Sequence, residues 1–64
     1  MIIFRNGNTY NAIPKNSIKM IIYGAGEDYI RVVFNHENND WRDYYYETAE
    51  EAAAAYFSIL EANI

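Results

Sequence analysis

The chain contains no cysteine among its 64 residues and only one histidine. Without cysteine, disulfides and cysteine-ligated zinc sites are excluded, which fits a cytoplasmic protein. His36 lies in a polar stretch with two carboxylates, fewer groups than the three or four converging ligands of a metal centre. Neither serine has a nucleophile motif, and so short a chain can hardly form a catalytic pocket. We therefore expect no enzyme activity, no catalytic residues, no metal and no cofactor.

Positive charge and long apolar runs are also scarce. Five Lys and Arg stand against nine Asp and Glu, which gives a net charge of −4. Because the five cations are scattered along the chain, double-stranded DNA is a disfavoured partner. The acidic field instead favours a protein partner with a basic surface. No apolar run approaches the length of a signal-peptide core or a membrane span, so we expect a cytoplasmic location and no membrane partner.

Apolar and aromatic residues are abundant, at 52% and 17% of the chain, and they include seven tyrosines. This content is too high for a disordered chain and predicts one folded domain over residues 1–64. Runs rich in β-branched and aromatic residues alternate with Gly, Pro and Asn turns, and the last segment changes to a helical period. The pattern predicts strands over residues 1–5, 8–13, 18–23, 29–34 and 41–46, followed by a helix over 49–62.

Two local signals mark the ends of these elements. Asn6-Gly7 is a strong hairpin signal, and a two-residue turn there would place Phe4 opposite Thr9. Thr48 followed by Glu51 forms a capping box at the start of the helix. At 100° per residue the helix is amphipathic, and we expect its apolar arc to contain Ala49, Ala52, Ala53, Tyr56, Phe57, Ile59, Leu60 and Ile64.

The element order predicts an α+β fold, in which a small antiparallel sheet of four to five strands has one C-terminal helix packed on one face. Side chains alternate across a strand. We expect the apolar sets of the third and fourth strands to meet the helix, together with two tyrosines of the last strand. These residues are Ile18, Met20, Ile22, Ile30, Val32, Phe34, Tyr44 and Tyr46.

One helix cannot cover both faces of the sheet, so the other face is a candidate binding surface. We expect it to contain Lys19, Ile21, Tyr23, Tyr29, Arg31, Val33, Trp41, Asp43 and Tyr45. Tyr, Trp and Arg are enriched at interface hot spots, so this face can bind a partner or a second copy. Ordinary cross-strand pairing, such as Arg31 with Asp43, is the alternative interpretation.

A second candidate surface is acidic. Five carboxylates lie within twelve positions around the last strand and the start of the helix, and they are Asp40, Asp43, Glu47, Glu50 and Glu51. A compact acidic patch of this kind can imitate phosphate spacing and occupy a basic groove. The alternative is a solvated surface that serves solubility.

In its size, acidity, lack of cysteine and Asn- and Tyr-rich composition, the chain resembles small accessory proteins of phages and mobile elements, among them anti-CRISPR and other antidefence inhibitors. The resemblance is compositional and implies a stoichiometric inhibitor that blocks another protein. Three function classes stay open. They are a protein-binding inhibitor or adaptor, a binder of single-stranded nucleic acid or nucleotides by Tyr and Trp stacking, and a structural homodimer subunit.

Overall fold

A computed structural model describes residues 1–35 and 40–62, and these residues form five strands followed by one helix. The elements are β1 Ile2–Asn6, β2 Thr9–Ile13, β3 Ile18–Ile22, β4 Tyr29–Phe34, β5 Trp41–Tyr45 and α1 Ala49–Ala62, with a short 3-10 turn at Lys15–Ser17. The α+β class and the element order are confirmed. Within the described ranges, no helix has the length and apolarity needed to cross a membrane. The expectations for His36 and Ile64 fall outside these ranges.

The strands are divided between two antiparallel sheets, where a single sheet was expected. β1 pairs with β2, and β4 lies between β3 and β5 in the second sheet. The two sheets meet where β1 lies beside β5. There the Gly7 amide donates to the Tyr45 carbonyl at 3.0 Å, and the Tyr45 amide donates to Asn6 Oδ1 at 3.3 Å. We call this junction the β1–β5 seam.

The first hairpin turns one residue later than the sequence predicts. Its pairs include Ile2 with Ile13 and Asn6 with Thr9, so the two turn residues are Gly7 and Asn8. Gly7 has φ 61°, a left-handed conformation that glycine adopts without a steric penalty. The observed register sets buried Ile2 opposite buried Ile13, whereas the predicted one would have set Ile2 opposite a polar residue. The predicted pairing of Phe4 with Thr9 is therefore wrong.

The core is small and draws on both sheets and the helix. Its buried residues are Ile2, Phe4, Ile13, Ile30, Val32, Tyr44 and Ala52. Phe4 from β1 stacks on Tyr44 from β5, with ring centroids 5.2 Å apart. This stack joins the interior of the two sheets, and aromatic pairs of this kind contribute beyond their buried area.

Helix α1 begins at the predicted cap and lies over β4. The Glu51 amide donates to Thr48 Oγ1 at 3.1 Å, which satisfies one of the free amides of the first turn. Ala52 is fully buried and allows a close approach to the sheet. Phe57, which was expected on the buried arc, is 57% exposed. It lies roughly 140° around the helix from Ala52, so its side chain lies beyond the edge of the contact between α1 and the sheet.

The alternation of β3 changes at a bulge. Ile18 pairs with Phe34, but Met20 pairs with Val33, so one extra residue is inserted between them. A bulge of this kind exchanges the faces of the residues that follow it. Ile21 and Tyr23 therefore pack against the core, whereas Met20 and Ile22 are 51% and 43% exposed. The expectation that Met20 and Ile22 meet the helix is wrong.

Two alanine substitutions at adjacent positions test this bulge. Ile21→Ala is expected to lower the free energy of unfolding by about 2 kcal/mol, the low end for a buried aliphatic residue, since Ile21 is partly buried. Ile22→Ala is expected to cost less than about 1 kcal/mol, because Ile22 faces solvent. Both variants lose the same β-propensity, so urea denaturation of the pair isolates burial. The opposite order of the two costs would indicate a strand without the bulge.

Candidate functional site

The face of the second sheet that α1 does not cover forms one continuous surface, which we call the open face. Its residues follow from the strand register and from the side-chain contacts. They are Met20 and Ile22 from β3, Tyr29, Arg31 and Val33 from β4, and Trp41, Asp43 and Tyr45 from β5. Met20, Ile22, Trp41 and Tyr45 are all exposed large hydrophobic residues. The surface is thus apolar and aromatic around one pair of charges.

Arg31 lies at the centre of the open face and is held from two sides. Its Nε and Nη2 donate to the two oxygens of Asp43 at 2.7 and 3.1 Å. The guanidinium also lies 4.2 Å from the centre of the Trp41 ring, within cation–π range. The hydrogen bond to Asp43 raises the pKa of Arg31 above its ordinary value. Its planar group is therefore fixed before any partner arrives.

A tyrosine pair continues this surface toward the other end of the strands. Tyr29 and Tyr45 are cross-strand partners, and their ring centroids lie 5.4 Å apart. The guanidinium of Arg31 lies 5.9 Å from the Tyr29 ring, so it connects this pair with Trp41. Tyr29 and Tyr45 lie on adjacent strands, where side chains of one face are within contact distance. The open face therefore has aromatic rings on both sides of its central cation.

Two of the residues predicted for this face lie on the other one. Ile21 packs against the core, and Tyr23 packs its ring 5.5 Å from Tyr56 and donates its hydroxyl to the Ala49 carbonyl at 3.4 Å. Their expected placement is wrong because of the bulge in β3. Lys19 is exposed at the bulge itself and lies beside the open face rather than in it. The other six predicted residues share the open face, and a role in partner binding stays a prediction for them.

Met20 and Ile22 are the residues that sequence reasoning missed. From Met20 to the end of β3 and at Tyr23 directly after it, every residue is apolar or aromatic, so either alternation buries an apolar set. Only Lys19 differs, and it faces solvent with or without the bulge. The sequence therefore contains no signal that distinguishes the two registers.

The five carboxylates of the predicted acidic patch do not form one compact surface. Asp43 is paired with Arg31, while Glu47 and Glu51 contact Arg5 at 3.1 and 3.7 Å. Asp40 precedes β5 and Glu47 follows it, which separates them by about 20 Å along an extended chain. Asp40 is therefore at the opposite end of β5 from the start of the helix. Glu50 is exposed at the helix start. Asp40 and the glutamates near the helix start therefore lie in two separate regions, and a role of the five carboxylates in binding stays a prediction.

Two clefts lie away from the centre of the open face. One, of about 330 Å³, is between β2 and β5 and includes Asn11, Asp40 and Arg42. The other, of about 300 Å³, is between β3 and the end of α1 and includes Ile18 and Ile59. Over residues 1–35 and 40–62, no three His, Asp or Glu side chains are grouped to hold a metal ion. The open face, by contrast, is a surface whose side chains are held in place by contacts with one another.

Comparison of the chain with protein-family models, with curated proteins and with solved structures found no match.

The contact between Arg31 and Trp41 predicts a fluorescence change, because Trp41 is the only tryptophan in the chain. Arg31→Ala removes the cation that covers the indole, so we expect red-shifted emission and stronger quenching by acrylamide. Arg42→Ala is the matched control, since it shortens the arginine side chain that follows Trp41 in the sequence and leaves the Arg31 contacts intact. Equal changes in the two variants would contradict a specific stacking of Arg31 on Trp41.

Proposed function

We propose that the protein is a non-catalytic binding module that acts as a stoichiometric inhibitor or adaptor of another protein. The open face is its binding surface, and the partner has an apolar patch with basic groups at its margins. The observation that carries this proposal is the fixed position of Arg31 between Asp43 and Trp41, among exposed Met20 and Ile22. Arg and Trp are two of the residue types that dominate interface hot spots.

The prior ordering of these side chains favours binding. A flexible arginine loses rotamer entropy when a partner immobilises it, and that loss subtracts from affinity. Here two hydrogen bonds and a ring contact already hold Arg31, so most of this loss occurs on folding. The cross-strand Tyr29–Tyr45 contact orders a further part of the surface. A partner therefore meets a surface that needs little rearrangement.

The charge distribution favours a basic protein over the alternatives. At the centre, Asp43 neutralises Arg31, so no free cation remains there for a phosphate backbone. The loop between β3 and β4 contains two exposed acids, Glu27 and Asp28, whereas the opposite end of the strands has exposed Asp40 together with exposed Lys19. A face-to-face dimer that brings the two Glu27–Asp28 loops together is therefore disfavoured by like charge. Basic groups at the margin of a partner would instead be attracted to this end of the open face.

The absence of a catalytic role is part of the same proposal. The open-face side chains include no serine, cysteine, histidine or lysine, and its one carboxylate is committed to Arg31. Nucleophilic catalysis and proton transfer need an activated group next to a substrate pocket. A sheet surface of this composition supports binding instead.

Affinity capture from the source cell with three matched baits tests the proposal. The first is the wild-type chain, and the second carries Ile22→Thr and Trp41→Thr on the open face. The third carries Ile3→Thr and Tyr10→Thr, which are exposed on the first hairpin. Threonine keeps the strand propensity at each site. A partner that the first and third baits capture is then purified and titrated by calorimetry, and we expect the open-face variant to bind at least about tenfold more weakly.

Three results would contradict this proposal. The first is that no captured protein depends on Ile22 and Trp41. The second is a mass by light scattering of twice the 7.5 kDa monomer that falls to the monomer in the open-face variant, since it would indicate a homodimer. The third is quenching of Trp41 by oligothymidylate that weakens steeply with salt, which would indicate binding of single-stranded nucleic acid.

A further inference from the structure

Asn6 is the only asparagine of the chain that is followed by glycine. In an Asn-Gly pair the glycine amide nitrogen can attack the side-chain carbonyl carbon of the asparagine, because glycine has no side chain to hinder the approach. A carbon–nitrogen bond forms, the amide nitrogen leaves as ammonia, and a five-membered succinimide results. Water then opens the ring to aspartate or isoaspartate at position 6. The pair is therefore a chemical modification site if its groups are free to meet.

The structure restrains both reacting groups through one residue. The attacking nitrogen of Gly7 donates its hydrogen to the Tyr45 carbonyl at 3.0 Å. The carbonyl oxygen of the Asn6 side chain accepts from the Tyr45 amide at 3.3 Å. Asn6 also belongs to β1 and pairs with Thr9, so its backbone is extended. Ring closure requires the side chain to turn back onto the Gly7 nitrogen, which breaks both contacts with Tyr45.

We propose that Asn6 is a deamidation site. The β1–β5 seam protects it in the folded chain, and opening of the seam exposes it. The reaction needs only water, and it does not depend on the proposed binding function. Its isoaspartate product keeps the seam open. Isoaspartate adds a methylene to the backbone of β1, which displaces Gly7 from Tyr45, and the new carboxylate adds a negative charge. A transient opening of the seam thus becomes a permanent change.

A third hydrogen bond across the same seam provides a way to vary its opening. The Arg5 amide donates to the Tyr46 hydroxyl at 3.3 Å. Tyr46→Phe removes this bond and leaves Asn6 and Gly7 unchanged. Tyr23→Phe is the matched control, because it also removes one tyrosine hydroxyl bond, to Ala49, but lies under the helix and away from the seam.

The test is the rate of deamidation at Asn6, followed by peptide mass spectrometry in mildly alkaline buffer with and without denaturing urea. We expect the wild-type chain to react at least about tenfold more slowly when folded than in urea, since local opening limits the reaction. Tyr46→Phe is expected to raise the folded-state rate about threefold, as one lost hydrogen bond would allow. It should leave the rate in urea unchanged. Tyr23→Phe should leave the folded-state rate at Asn6 near the wild-type value.

Several outcomes would overturn the proposal. Equal rates in the folded and unfolded chain would mean that the seam does not protect Asn6. Equal acceleration by Tyr46→Phe and Tyr23→Phe would mean that global unfolding, not the seam, controls the reaction. Faster deamidation in urea at Asn8, the next asparagine in the turn, would mean that Asn6 is not the reactive site.

Discussion

A single helix of fourteen residues can cover only one face of a three-stranded sheet, and this limit shapes the rest of the molecule. α1 lies over β4, with buried Ala52 allowing the close approach. The residues beneath it form the core, and every other side chain of the sheet has to face solvent or a partner. The bulge in β3 then decides which residues these are. It turns Tyr23 toward Tyr56 and leaves Ile22 exposed.

The first hairpin depends on the second sheet for its position. A two-stranded sheet alone would be marginally stable at best, whereas the three-stranded sheet also packs against α1. The Phe4–Tyr44 stack joins their apolar sides, and the backbone of Tyr45 binds the turn of the hairpin through Asn6 and Gly7. Arg5 adds ion pairs to Glu47 and Glu51 near the helix start. Such pairs contribute little individually, so the link between the sheets rests mainly on the aromatic stack and on the hydrogen bonds of the seam.

The elements were predictable because each has a local cause. The Thr48 cap, the turn glycines and the change of period at residue 49 each depend on a short stretch of sequence. The bulge was not predictable, because Ile21 and Tyr23 pack against the core in place of Met20 and Ile22, and all four are large hydrophobic or aromatic side chains. The hairpin register depended on Ile2 meeting Ile13, a contact eleven residues away along the chain. Of the nine residues predicted for the open face, six lie on it, and the other three lie in β3 or directly after it.

The bulge also bears on how the chain can expose so apolar a surface. β3 is an edge strand of its sheet, and an exposed edge next to exposed apolar residues invites pairing with other chains. Natural edge strands are blunted by bulges and by charged side chains, and β3 has both, since the irregularity falls at Lys19. The distortion that turns Met20 and Ile22 outward therefore also disfavours strand addition along the same strand. Recognition through the open face would then use side chains, with Arg31 and Trp41 at its centre, and would not require the edge of the sheet.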